Sequence, residues 1–346
     1  MKSVKKILCM LLSFCMLIAI VPTITTEAKT TMQEPAYQGK WTYFSVDNMI
    51  YKLNSKDGTT KKVKKLNKVF DITDISYYNG YLYFTSNYYI GTDSTDCYIC
   101  RMKTDGSGFT KLDRGASPLI WNNKIYYIKS KHITEGYYEY DQNVGIATMS
   151  LNGKNPKILI KNKDDSISRW SLLAANGKLY YTKYNKASQK TAVMSYDIKH
   201  KKSSPVYKTS STLTLDCNDA AYIYFTVSDL SQNHTLYAYN VKTGKQTSKK
   251  LASDVSLLAA KNGTVYYYSY DTNTTYSYNV KNKKTKTVLK NHYLVNLTLS
   301  KYQYQVVDYN YTQEEFEACN YKYDRAKSRM KLNGKGFKRL IKYYVS

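Results

Sequence analysis

The sequence predicts an all-β fold, a β-propeller of four-stranded antiparallel blades. Three observations predict it. An aromatic strand motif returns every forty-odd residues, a two-residue Asn-Gly-type turn precedes most copies, and a lysine-rich hairpin separates one copy from the next. Two hairpins per period of about 40–50 residues is the pattern of a propeller blade.

The motif is clearest at Asn79-Gly80-Tyr81-Leu82-Tyr83-Phe84. Asn and Gly both accept the positive φ of a type I′ turn, the connection that suits a two-residue hairpin. After the turn, Leu82 and Phe84 alternate with Tyr81 and Tyr83, so each pair takes one face of a strand. Both faces are apolar or aromatic. Such a strand is expected to lie between two neighbouring sheets.

In chain order, residues 1–28 read as a signal peptide. Lys2, Lys5 and Lys6 form a basic start, Ile7 to Val21 an apolar stretch, and Thr26-Glu27-Ala28 a small-residue cleavage region. The apolar stretch is short for a membrane span. A lipoprotein reading through Cys15 is disfavoured by the bulky Phe14 before it. Removing the segment takes three lysines and one glutamate, which lowers the net charge from +26 to +24. Residues 29–346 are expected to form a single propeller domain. The 39 tyrosines suit strands, which favour aromatic residues.

The first copy is Lys40-Trp41-Thr42-Tyr43-Phe44, and the second is Tyr81-Leu82-Tyr83-Phe84. Lys124-Ile125-Tyr126-Tyr127, Lys178-Leu179-Tyr180-Tyr181, Tyr222-Ile223-Tyr224-Phe225 and Thr264-Val265-Tyr266-Tyr267 follow. A degenerate copy, Lys301-Tyr302-Gln303-Tyr304, ends the series, with steps of 40, 43, 54, 44, 42 and 37 residues. Seven copies give seven blades; the worn last copy leaves six as the alternative. The second hairpin also repeats. Residues 101–112 and 329–340 share seven of twelve positions, including Gly106 and Gly334 in the turns. Choline-binding-type wall repeats carry similar aromatic hairpins, but they are about half as long and have one hairpin each.

Leu82-Tyr83-Phe84-Thr85, Leu179-Tyr180-Tyr181-Thr182 and Ile223-Tyr224-Phe225-Thr226 resemble the Tyr-Trp-Thr-Asp repeat of low-density-lipoprotein-receptor-type propellers. The resemblance extends over nearly all of residues 29–346 and implies the fold, in secreted bacterial members of unknown function. The Asp of that repeat is replaced here by Ser86, Lys183 and Val227, so any contact made by the Asp does not carry over.

Long loops on a rigid scaffold are where binding usually resides. Three are expected on the face that carries the second-to-third strand connections. They hold Tyr88, Tyr89 and Asp93; Glu135, Tyr137, Tyr138, Tyr140 and Asp141; and Tyr311. The connection into the fourth unit adds Trp170. Tyrosines give contact area at low entropic cost and carboxylates give directed hydrogen bonds, which suits a glycan or a protein ligand. Lysines crowd the second hairpins, for example Lys61, Lys62, Lys64 and Lys65, and Lys281, Lys283, Lys284 and Lys286. Lysine on outer strands blocks edge-to-edge aggregation. It also draws a protein toward an anionic envelope polymer or acidic lipid. Nucleic acid is excluded as a partner by the signal peptide and the lack of any nucleic-acid motif.

Cys97-Tyr98-Ile99-Cys100 has metal-like spacing, but residues three apart on a strand face opposite sides, and no second pair accompanies it. His132, His200, His234 and His292 fall in different units. No metal or cofactor is expected. No nucleophile elbow, phosphate loop or zinc-helix motif is present. The expectation is a secreted, non-enzymatic propeller, extracellular or associated with a Gram-positive cell wall. It would bind an extracellular glycan or protein through one face, with a lysine rim favouring an anionic wall polymer. The alternative is a secreted glycosidase or lyase with carboxylates around the central channel, for which Asp93, Glu135 and Glu314 are the sequence's candidates.

Overall fold

The computed structural model describes residues 36–90, 94–136, 138–163, 165–231, 233–251, 254–300, 302, 305–310 and 325–343. The proposed signal peptide lies outside them, as do Asp93, Tyr137, Tyr311 and Glu314. Everything regular in the described residues is strand.

The first unit comprises β1 (Tyr37–Gln38), β2 (Trp41–Val46), β3 (Met49–Asn54) and β4 (Thr60–Lys65). Next come β5 (Asp71–Tyr78), β6 (Tyr81–Ile90), β7 (Ser94–Lys103) and β8 (Thr110–Trp121). The third unit continues with β9 (Lys124–Glu135), β10 (Tyr138–Ser150) and β11 (Lys157–Lys161). The fourth has β12 (Asp165–Ala175), β13 (Lys178–Asn185), β14 (Lys190–Asp197) and β15 (Lys202–Thr209). The fifth has β16 (Thr212–Asn218), β17 (Tyr222–Ser228), β18 (His234–Asn240) and β19 (Gln246–Lys250). In the sixth are β20 (Val255–Lys261), β21 (Thr264–Ser269), β22 (Thr274–Asn279) and β23 (Thr285–Lys290). The last has β24 (Tyr293–Thr298), β25 (Gln305–Asn310), β26 (Arg325–Met330) and β27 (Lys338–Tyr343).

Five of the sheets are four-stranded antiparallel meanders, and one has seven strands. The larger sheet arises because β8 serves twice. Thr110 to Arg114 pair with β7, and Gly115 to Trp121 pair with β9. With β8 counted in both, the described strands make seven meanders, and the aromatic motif forms the second strand of the first six. In the last unit the described second strand begins at Gln305, and Lys301, Gln303 and Tyr304 of the motif lie outside the described residues. The Gln305 side chain accepts from Ser300 N–H and donates to the Tyr302 carbonyl.

The Asn-Gly pairs turn as their residue types require. Asn79 and Gly80, Asn176 and Gly177, and Asn262 and Gly263 all have positive φ. The motif strands are buried on both faces, as a strand between two sheets should be. Leu82 and Phe84 pack with Tyr43 and Ile50 of the first unit, while Tyr83 packs with Ile125 and Tyr127 of the third. Further clusters of this kind join each unit to the next, and one joins Phe44, Val46 and Leu53 to Val306 of the last unit. No strand is exchanged between the two ends of the described chain; side-chain packing joins them.

First strands of successive units touch in series from β5 through β8, β12, β16 and β20 to β24, so they line the axis. Each carries a bulge where it passes the motif strand. The bulges explain the threonine that ends the motif. Thr85 Oγ1 donates to Asp74 Oδ2 at 2.9 Å, Thr226 Oγ1 to Asp216 Oδ2 at 3.0 Å, and Thr182 Oγ1 meets Ser171 Oγ at 2.6 Å. The fourth motif residue therefore holds the axial strand in its bulged course.

Candidate functional site

The longest hairpins are β6–β7 and β9–β10. Strands β9 and β10 run 12 and 13 residues, against 7 for β17 and for β18. Their outer ends extend past the apolar interfaces of the ring, and polar contacts hold them there. Asp141 of β10 is the centre of those contacts. Its Oδ2 accepts from the Cys97 amide at 3.0 Å and from Ser130 Oγ at 3.1 Å, and Oδ1 accepts from Arg114 Nη1 at 3.1 Å. Arg169 Nη2, from the axial strand β12, lies 3.7 Å from Oδ2. One carboxylate thus ties together three units. Its side chain is 1% exposed.

Arg114 also pairs with Asp96, and its Nη2 donates to Tyr98 Oη at 2.7 Å. Burial works against the Arg114 charge, but the hydrogen bonds to Asp96 and Asp141 outweigh it and raise the guanidinium pKa. His132 Nδ1 stands 3.3 Å from Asp96 Oδ1. Asp96, His132 and Asp141 each bring a ligand atom within 4.8 Å of the others, a spacing that a divalent cation can use. Arg114 rests on both carboxylates, however, so a metal would have to displace a guanidinium. The network balances its charge internally and acts as a brace. A second pair, Lys129 Nζ to Asp113 Oδ2 at 2.6 Å, supports the base of the β9 strand.

Above the brace, the tip of the β9–β10 hairpin is open. Glu135 and Tyr140 are both exposed, and burial first, then the nearby Glu135 carboxylate, raise the Tyr140 phenol pKa. Of the residues singled out from sequence, these two combine exposure with directed polar groups. Tyr88 is half-buried: its ring meets Tyr98 edge-on at 5.5 Å, and Lys111 Nζ lies over the two rings at 3.5 and 4.1 Å. Asp141 lies beneath the surface. Tyr89, Tyr138 and Trp170 contribute backbone to β6, β10 and β12. Arg114 escaped the sequence reading, because its partner Asp141 lies in another unit. Arg169 falls in the connection into the fourth unit beside Trp170, where the sequence places a candidate surface, but the structure turns it to Asp141. Cys97, Cys100 and Cys217 are buried thiols, and burial first of all pushes Cys100 up to about 12. Lys61, Lys62, Lys64, Lys65, Lys281, Lys283, Lys284 and Lys286 are exposed on outer strands and turns, as expected of the rim.

No protein-family model matches the chain, and no curated protein sequence matches it. Solved structures do match, and they are propellers. An oligogalacturonate lyase in complex with manganese aligns with a TM-score of 0.57 and 11% identity, over 89% of this chain and 86% of that one. The acylaminoacyl peptidase of Pyrococcus horikoshii also gives 0.57 and 11%, over 93% of this chain and 53% of the peptidase. A chain of a nidogen/laminin complex gives 0.49 and 13%, over 72% of this chain and 93% of that one. The chain is a β-propeller. At such identities the likeness extends to the fold alone. Among the described residues no helix is long and apolar enough to cross a membrane.

Proposed function

We propose that this is a secreted, non-enzymatic propeller of the low-density-lipoprotein-receptor-type group, which binds an extracellular glycan or protein through one face. Its lysine rim favours the anionic polymers of a cell envelope. The carrying observation is the exposed Glu135–Tyr140 pair on a hairpin that Asp141 braces from beneath. A rigid support lets an aromatic ring and a carboxylate meet a ligand at small entropic cost. The test is a pull-down of residues 29–346 on Gram-positive cell walls, with and without teichoic acid, across a salt series. The double variant Tyr140→Ala/Glu135→Gln should lose at least about tenfold in affinity for bare peptidoglycan or a protein ligand, a change of ~1.4 kcal/mol, with an unchanged Tm. Equal binding by variant and parent would remove the hairpin tip from the ligand face. Binding through the rim should fall with moderate salt.

A secreted glycosidase or lyase is the second reading, and Asp216 favours it. This carboxyl sits in the bulge of axial strand β16, where burial raises it to about 7 despite the hydrogen bonds from Thr226. A carboxyl protonated near neutrality can serve as a general acid.

A further inference from the structure

Three lysines converge on one indole at the opposite end of the first unit from the strand-two-to-three loops. Lys40 precedes β2, Lys52 is in β3 and Lys61 in β4, and their Nζ atoms lie 5.5, 5.0 and 5.8 Å from the Trp41 ring centroid. Lys52 and Lys61 are direct cross-strand partners. Like charges placed opposite each other destabilise a sheet. The ring face offsets part of this, at about 0.5–1 kcal/mol for an exposed cation. Among the described residues none of the three lysines has an ion-paired carboxylate. Asp57, an acid that feels Lys40, directs its carboxylate first to the amide and hydroxyl of Thr59, and Lys40 adds a smaller electrostatic effect.

We infer that Trp41, Lys40, Lys52 and Lys61 form a site for the phosphate groups of an anionic polymer. The inference rests on the envelope affinity of the rim proposed above and gives it a place. A phosphate suits the arrangement because its several oxygens can accept from ammonium groups approaching along different strands, each a compact point charge. A polymer suits it because Lys62, Lys64 and Lys65 continue the positive charge along β4, all exposed. Trp41 both gathers the lysines and reports on them.

The experiment is a titration of residues 29–346 with poly(glycerol phosphate), followed by tryptophan emission, with inorganic phosphate in a parallel series. The emission should change on saturation, and Trp41→Phe should abolish the change. Lys52→Gln/Lys61→Gln should weaken binding by at least about tenfold, and Lys284→Gln/Lys286→Gln, with the same net charge, by less than about threefold. Equal losses in the two double variants would overturn the site and leave only the diffuse field of the rim. No emission change in the parent would overturn it too. Inorganic phosphate binding as tightly, per phosphate, as the polymer would overturn the polymeric ligand. Tyr140→Ala should leave the titration unchanged, so this site and the loop-face reading fail separately.

Discussion

The interface between the second and third units and that between the fourth and fifth solve the same packing problem by different chemistry. The first supports strands of up to 13 residues, and it adds the Asp141–Arg114–Arg169 network to its apolar cluster. The second joins shorter strands and adds an aromatic stack. Phe225 lies parallel to Tyr237 at 5.1 Å, and Tyr207 meets the two rings at 5.2 and 4.9 Å. The reason is reach. Where strands stop at the ring, neighbouring sheets can cover aromatic faces completely. Hairpins that overhang the ring have one wet side, and there paired charges hold position without exposing large apolar area. The aromatic interface stabilises the ring, and the ionic one shapes a surface.

Removing the centre of each support tests this division. Phe225 is fully buried, and Phe225→Ala should cost about 3–5 kcal/mol by leaving a cavity among Tyr207, Tyr237 and Ile223. Chemical denaturation should show the loss as a lower midpoint with an unchanged slope. A loss below about 1 kcal/mol would mean that the stack collapses freely into the gap. Asp141→Asn should cost less, about 2–3 kcal/mol. Breaking a fully buried pair costs about 3–5 kcal/mol, but Arg114 and Arg169 keep 23% and 20% of their side-chain surface exposed and regain some water. The two variants should also differ in kind. Hydrogen exchange should rise across the ring in Phe225→Ala, and chiefly over the outer ends of β6, β7, β9 and β10 in Asp141→Asn. Uniform exchange in Asp141→Asn would end the distinction between the interfaces.

The ring was legible in the sequence because its signals are local. Asn79-Gly80 and Asn176-Gly177 specify their own turn geometry, and Tyr83, Tyr180 and Tyr224 repeat at one register of one strand type. The brace was not legible, because Asp141 finds Arg114 and Arg169 only when three units close side by side, and nothing in the spacing 114, 141, 169 announces it. The same holds for Tyr88, which reads as a loop tyrosine but lies against Tyr98 and Lys111. The continuous strand β8 was hidden for another reason: the chain passes from outer to axial strand at Gly115, whose φ of +150° suits glycine and where a Cβ would collide with the Ile128 carbonyl oxygen, so one small residue replaces a turn. At the far end, Lys301-Tyr302-Gln303-Tyr304 carries the aromatic pattern, but the Gln305 side chain is spent on Ser300 and Tyr302, a contact nothing in the repeat announces.

Carboxylates sharpen the contrast further. Asp141 has two guanidiniums; Asp216, on the axis, has among the described residues Thr226 alone as a hydrogen-bonding partner. Water reaches part of the Asp216 surface, yet protein surrounds it closely enough that burial dominates and raises it to about 7. A raised carboxyl means that the folded chain holds this proton more tightly than the unfolded chain, whose Asp titrates near ~4. The contribution to stability is therefore complete below about pH 4, falls as pH rises to about 7, and stays lost above that. The slope in that window is at most about 1.4 kcal/mol per pH unit, and partial contact with water reduces it. Asp216→Asn keeps an acceptor for Thr226 and removes the titration. It should match the parent at pH 4 and exceed it by about 1–2 kcal/mol at pH 8, as read from denaturation midpoints at both pH values. Parallel stability curves for parent and variant would show that the axis solvates Asp216 well, and would remove with it the physical basis for a neutral-pH acid on this strand.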